Sequence, residues 1–561
     1  MYVDESTIKN PSGKSYTRHL LRTSYRKDGK VLKKTIANIS SCSKEEINLL
    51  KQVFGKKNKR KKDPNTSITI NLQSIKERTG KRFGAVYVLN EIAKRIGFHK
   101  ALGSTRNAIL ILWLIFARII QQGSRLSAVR LAQSVAVDEV LGSNQFNEDD
   151  LYKAMDWLED NHCKIEDALI KNNKPSQLLL YDVTSSYLEG QQNDLAAYGY
   201  NRDGKKGKKQ IVVGLLTDSD GEPLCIETFK GNTQDPQTCS ERIIEIKKRF
   251  NVDKLTLVGD RGMIKSKQIK EIESNEGWNY ITAITKPQIN KMLKQGDFQM
   301  QLFDEQVQEI IVDDVRYVLR RNPVRVKEIR DNRESKLNKL KAAMLERQQY
   351  LNEHPKAKEE VAIRVLNAKV SKLKISKLVK FESSNRTLII VYDKQSKLWQ
   401  EEEKLDGCYV IKTSIIDSQI LTGQQVHDRY KDLAYVEQAF RTMKTTLLEQ
   451  RPVYVRKEKR TKAHVFITML AYKLSRYMIK IIKEHEDELL KLLFATNKAP
   501  KNQVLELDDV INELNMIQNN ELIIDTFTCQ ATKELRPVTQ KLLDILNIKL
   551  PIPQVTNVIK M

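Results

Sequence analysis

The stretch LLLYDVTSSY (residues 178–187) is an apolar run that places an acid, Asp182, at the edge of its apolar part. It reads as a buried strand, and a carboxylate at the end of such a strand is costly unless it is paired, hydrogen-bonded or bound to a metal. The plain alternative is a strand-end Asp that caps the next turn through Thr184 or Ser185. What the rest of the chain brings to that strand end decides between the two.

Downstream, KQIVVGLLTDSDGEPLCIETFKGN carries Asp220-Gly221 at its middle, so 209–230 reads as an antiparallel hairpin. DPQTCSERIIEIKKRF (235–250) reads as a helix, with Asp235 or Thr238 near its start and Pro236 acceptable in the first turn. KLTLVGDRGM is a short buried strand ending in Asp260, followed by a helix at 264–274, and WNYITAIT (278–285) is another strand. The order is strand, hairpin, helix, strand, helix, strand. If the strands of Asp182 and Asp260 pair in parallel, as the intervening helix permits, both carboxylates meet at one end of a sheet. Two acids there repel and raise a pKa unless a cation sits between them, and a hard dication with all-oxygen ligands is the natural resident.

A third acid comes from YKDLAYVEQAFRTMKTTL (430–447). At 100° per residue, Leu433, Val436, Phe440, Met443 and Leu447 form one apolar stripe, and Tyr430, Glu437, Arg441 and Lys444 fall together on its shoulder. A surface row of Glu–Arg and Glu–Lys pairs is the plain reading of such a shoulder. A stripe beside the buried face can also look into a cleft at the sheet edge.

Composition sets the wider frame. The 561 residues suffice for three or four domains, and 40% hydrophobic content supports real cores. Lys and Arg number 96 against 71 acids, and the net charge of +25 favours a polyanion, usually nucleic acid, as partner. The six cysteines form no CxxC pair and the seven histidines are scattered, which argues against zinc chemistry and a disulfide framework. No Gly-rich phosphate loop is present, so no nucleotide cofactor is expected. The start, MYVDESTIKN, has no apolar signal region, and the longest apolar run, AILILWLIFA (108–117), stops at Arg118, short of the roughly twenty residues a membrane span needs. A cytoplasmic location and no membrane partner are expected.

Along the chain, residues 1–65 read as a small β-rich module with a hairpin about KDGK, closed by the basic linker KKNKRKKDPN (56–65). Residues 66–175 turn helical, with Lys94, Arg95, Arg118, Arg125 and Arg130 in or between helices, and are expected to bind DNA. The α/β pattern occupies 176–290, an interruption with strands and a charged helical hairpin (334–354 with 355–380) spans 291–415, the third-acid helix falls in 416–490, and 491–561 reads as helical.

The strand-end acids in YDVTS and GDRGM, with Tyr430-x2-Leu433-x3-Glu437-x6-Lys444, resemble a DDE transposase of a bacterial insertion sequence, of the group with a Tyr-Arg-Glu-Lys signature on its third-acid helix. GNTQDPQT (231–238) and RPVYVRKEKRTKAHVFITMLAY (451–472) are similar to stretches of that group, and the likeness runs from the KDGK segment to about residue 480. One position departs: Leu433 stands where the signature has Arg, and its place in the apolar stripe makes it a packing residue, passing a phosphate role to Arg441. The resemblance implies a ribonuclease-H-like α/β catalytic domain whose third acid follows a large insertion. It implies two Mg2+ ions, with Mn2+ able to substitute, held by Asp182, Asp260 and Glu437, Asp182 being shared. It implies DNA contacts from Tyr430, Arg441 and Lys444, and a homodimer assembled on inverted-repeat ends and target DNA, associated with the nucleoid. A ribonuclease-H-like nuclease or resolvase would share the chemistry, and a DNA-binding regulator with structural acids is the non-enzymatic alternative. An aspartyl-nucleophile phosphatase would want an acid two positions after Asp182, where Thr184 stands.

Overall fold

The computed structural model describes residues 2–9, 15–27, 30–54, 76–171, 177–190, 192–250, 254–445, 447–495, 503–524, 527–532, 534–551 and 555–557. The chain divides into two compact units, Met1–Lys76 and Glu77–Met561. In the first, Tyr2–Lys9, Ser15–Lys27 and Lys30–Asn38 form an antiparallel sheet followed by the helix Lys44–Phe54. Lys27 pairs with Lys30 across the KDGK turn, as the hairpin reading requires. The basic run at 56–65 lies outside the described residues.

The second unit is built on one eight-stranded mixed sheet, whose strands we number β1 (Leu178–Tyr187), β2 (Gln210–Asp218), β3 (Pro223–Lys230), β4 (Leu255–Gly259), β5 (Trp278–Ala283), β6 (Gln308–Val312), β7 (Val315–Arg321) and β8 (Cys408–Thr413). Their order across the sheet is β6-β7-β8-β5-β4-β1-β2-β3. Only β1–β4 and β4–β5 are parallel, with the helices Asp235–Phe250 and Ser266–Glu273 in the crossovers. β2 is buried over nearly its whole length because both faces of the sheet are covered. Ile211, Val213 and Leu215 join the core that contains the helices Leu433–Lys444 and Glu458–Lys483, while Val212 and Leu216 join the core beneath Asp235–Phe250.

Two sequence expectations change here. The strands β6, β7 and β8 are hydrogen-bonded into the main sheet, so the interruption expected at 291–415 is narrower. What stands outside the sheet runs between Arg321 and Cys408: the helices Pro323–Glu353 and Glu359–Lys372, the hairpin Lys380–Ser384 with Thr387–Val391, and the helix Lys397–Lys404. Leu337, Leu340, Leu366, Phe381 and Trp399 give this insertion a core of its own. It enters and leaves at one place, since Arg321 pairs with Cys408 and the Asn322 amide donates to the Gly407 carbonyl at 3.0 Å. Gly407 has φ +72, and a Cβ there would sit 2.6 Å from the Asn322 carbonyl, so the neck requires glycine.

The helices of the region 66–175 also do not form a bundle packed apart from the sheet. Its helices Arg106–Ile120 and Glu148–Asp160 pack with Glu458–Lys483 in the same continuous core as residues of the eight-stranded sheet. Arg118 and Arg125 are buried, and Arg95 donates to the Leu546 and Asn547 carbonyls, which removes three of the five expected phosphate contacts. Lys94 and Arg130 remain exposed. The C-terminal segment holds the helices Leu507–Asn515 and Pro537–Ile545 but also the strands Asn519–Ile524 and Phe527–Thr532, where only helix was expected. Among the described residues no single helix is long and apolar enough to cross a membrane.

A buried ion cluster joins these layers. His162 lies between Glu159 (3.5 Å) and Glu166 (3.0 Å), Arg249 reaches Glu166 at 2.9 Å, and the Ile226 amide of β3 donates to the same carboxylate. Burial alone would lower the His162 pKa, but the two carboxylates outweigh it and push it up to about 10. A histidine with a raised folded pKa contributes stability that is whole below its ordinary 6.5 and lost as pH rises through about 10. Urea unfolding across that pH range should therefore show a decline in the wild-type protein that His162→Gln lacks.

Candidate active site

Strand alternation puts Leu180, Asp182, Thr184 and Ser186 on one face of β1. Leu180 belongs to the core beneath Leu433–Lys444, and as β1 continues under that helix the same face becomes polar. The parallel register pairs Tyr181 with Gly259, so Asp182 and Asp260 follow at the same level on adjacent strands. Strand spacing of about 4.8 Å brings their backbones into close company. Glu437, from the helix Leu433–Lys444, lines the same cleft of about 550 Å³. The cleft is further lined by Asp235, Tyr430, Arg441 and Lys444.

Electrostatics follow from this crowding. Burial is the largest cause pushing the Asp182 carboxyl up to about 7; the Val183 amide opposes it, and the charges of Asp260 and Glu437 add to the rise. Tyr430 donates its hydroxyl to Asp260 Oδ1 at 3.2 Å, and burial followed by that carboxylate holds the phenol well above its ordinary pKa. Tyr430 is not on the third-acid helix, where the periodicity places it: it lies in the last turn of the helix Gly423–Lys431, and the chain turns at Asp432 before Leu433. Leu433 is 8% exposed, a core residue that also forms part of the cleft wall.

The shoulder of the helix is not a row of surface pairs. Glu437 and Arg441 are exposed, and among the described residues neither has an ion-pair partner. Lys444 instead turns inward. Its ammonium donates to Thr184 Oγ1 at 2.6 Å and to Asp203 Oδ1 at 2.9 Å, with its side chain 9% exposed and that of Asp203 2%. Arg451 pairs with the same Asp203 oxygen, and the Tyr187 amide donates to Oδ2 at 3.0 Å. The lysine's charge therefore fastens the third-acid helix to β1, and it is not free for a phosphate in this arrangement.

Asp203, Arg202 and Asp235 were not among the residues the sequence singled out for chemistry. Arg202 pairs with Asp235 at 2.6 Å, and a Cβ on Gly262 would lie within 4 Å of both Asp260 Oδ2 and Asp235 Oδ2. A fourth carboxylate thus borders the Asp260 side. Asp235 reads in sequence as a helix-start residue, and Asp203 as one acid in a lysine-rich loop; neither carries a local signal of its partner.

Among the described residues no three His, Cys, Asp or Glu side chains stand close enough to enclose a metal ion, so the acids share a cleft and not a closed cage. The donor chemistry nevertheless fits a hard divalent cation: all oxygen, with one carboxyl pushed up to about 7 by burial and, after it, by the charges of its neighbours.

A family model for the transposase DDE domain matches residues 173–474, which contain all three acids. The chain belongs to the DDE transposases. A second model, the N-terminal domain of IS1634 family transposases, matches residues 3–67, which makes this an insertion-sequence transposase and agrees with the resemblance read from the motifs. Members of the family generally use divalent metal ions. No curated protein matches the chain. Among solved structures, a piggyBac transposase synaptic complex with hairpin DNA is similar over 77% of each chain, at 10% identity and a TM-score of 0.36.

For the transposase, the Asp203 cluster generates a prediction. Asp203→Ala leaves the buried Lys444 ammonium without a counter-charge and should cost about 3 kcal/mol or more in urea unfolding. Lys444→Met should cost less, because Arg451 still neutralises Asp203.

Proposed function

We propose that this transposase binds the inverted-repeat ends of its insertion sequence, cleaves the DNA there and joins the freed 3′-OH ends to target DNA. The observation that carries this reading is the convergence of Asp182, Asp260 and Glu437, from two strands and a distant helix, on one cleft of a strongly basic protein. An antiparallel run β3-β2-β1 continued by parallel β4 and β5, with helices on both faces, supports a ribonuclease-H-like core. Asp182, Asp260 and Glu437 would hold the divalent ions, two Mg2+ or Mn2+ in this reading. When bound, such ions activate a water or 3′-OH and stabilise the leaving oxygen of an in-line phosphoryl transfer.

The chain's own groups have distinct tasks. Asp182 must give up its proton to become a full ligand, and Tyr430 orients Asp260 through its hydroxyl. Arg441, exposed beside Glu437, meets a phosphate of the scissile strand. Lys444 keeps Glu437 opposite Asp182 by fixing the helix to β1. Phosphate contacts by exposed cations such as Lys94 and Arg130 supply end binding, which should weaken steeply with salt. Assembly as a homodimer on two ends completes the reading.

The test compares end binding with Mg2+-dependent nicking for Asp182→Asn, Asp260→Asn and Glu437→Gln. Each amide keeps shape and removes a charge, so nicking should fall about a hundredfold or more while binding changes little. Chelation should abolish wild-type nicking, and Mn2+ should restore it. Nicking retained in one variant removes that residue from the triad; loss of folding in all three favours structural acids. Transfer of the 3′-OH to a second DNA separates a transposase reaction from simple nuclease action.

A further inference from the structure

The loop between β1 and β2 and the first residue of β2 hold AYGYNRDGKKGKKQ (197–210), with two tyrosines and five cations. Tyr198 and Tyr200 are 66% and 81% exposed. Their exposure is not the result of a slack backbone. Ala197 and Gln210 exchange both backbone hydrogen bonds, and the Gln210 side chain donates to the carbonyls of Tyr200 (3.2 Å) and Gly231 (2.8 Å). Gly199, between the two rings, lies so close to the neighbouring strand end that a Cβ would sit 2.2 Å from the Gly231 carbonyl. The rings are therefore presented outward from a fixed base.

Each ring also carries a cation, Arg202 at 5.6 Å from the Tyr200 centroid and Lys209 at 5.9 Å from that of Tyr198. The far side of the loop is tied into the cleft. The Arg202 amide donates to Ser185 Oγ at 2.9 Å, its guanidinium pairs with cleft-lining Asp235, and Asp203 is the buried partner of Lys444. Lys205 and Lys206 remain exposed on the outer turn.

We propose that this loop binds unpaired nucleotides of the DNA strand entering the cleft, Tyr198 and Tyr200 each stacking on a base while the lysines neutralise flanking phosphates. The proposal rests on the catalytic reading above, since it takes its strand from that cleft. Duplex DNA offers phosphates and groove edges but keeps its base faces stacked internally, so outward rings on a rigid base would have nothing to cover. An unpaired base offers a π face whatever its identity, and a ring with an adjacent cation is a sequence-tolerant platform for it.

The experiment uses the full chain without metal, with a single-stranded oligonucleotide carrying 2-aminopurine and the same sequence as a duplex. Single-strand binding should saturate and quench the 2-aminopurine. Tyr200→Ala and Tyr198→Ala should each weaken it about tenfold and relieve quenching, and the Phe variants should keep both. Duplex affinity should change less than twofold. Gly199→Ala, which forces the backbone off Gly231, should reproduce the alanine phenotype with both rings present. Alanine variants that bind and quench as the wild type does, or that lose duplex and single strand equally, overturn the proposal. Wild-type quenching without Mg2+-dependent nicking would instead overturn the catalytic reading and leave the loop a single-strand binder.

Discussion

Two carboxylates at one level on adjacent parallel strands repel, and the architecture around β1 and β4 is organised about that repulsion. The Tyr181–Gly259 register fixes it, because nothing short of slipping a strand would move Asp182 away from Asp260. Burial, with the charges of Asp260 and Glu437 added to it, pushes Asp182 up to about 7, so protonation takes up part of the tension. Part is taken up by the Tyr430 hydroxyl on Asp260. The third acid then has to arrive from a helix held by something other than its own negative charge. That hold is the Asp203 cluster, where one buried carboxylate gathers Lys444, Arg451 and the Tyr187 amide. A buried pair of this kind adds little net stability against an apolar alternative, but it is costly to misalign, which suits a part whose value is position.

Much of the centre was legible in the sequence because it depends on local pattern. An apolar run ending in an acid, a hairpin marked by Asp220-Gly221, and a helical stripe of Leu433, Val436, Phe440 and Met443 are each written in consecutive residues. Helix 235–250 and the parallel pairing across it follow from the same kind of signal. What was not legible depends on partners far away in the chain. Arg118 and Arg125 look like exposed cations between helices, and contacts made far away in the chain, such as Arg118 with the Glu449 carbonyl and Arg125 with Met155, go with their burial. Lys444 looks like a phosphate contact until Asp203, 241 positions earlier, is brought under it. The strands of 308–321 and 408–413 look like part of an insertion because sequence distance hides that they close the edge of the main sheet.

The break at Asp432 is a middle case. Periodicity runs across it without interruption, so one helix from 430 is the natural reading. The chain instead uses two helices, and the turn lets Tyr430 meet Asp260 while Glu437 lines the same cleft. Hydrophobic spacing reports which residues face a core; it says little about whether the axis behind them is straight.

The neck at Asn322 and Gly407 has a consequence for how this protein can change over evolutionary time. A segment that leaves and returns through one registered pair transmits no length requirement to the strands on either side. With its own apolar centre, it is free to grow, shrink or be exchanged while the distance from β7 to β8 stays that of neighbouring strands. The placement of the third-acid helix is thereby uncoupled from the history of the residues that precede it, and the glycine at the neck marks where the two ends of the appendage pass too closely for a side chain.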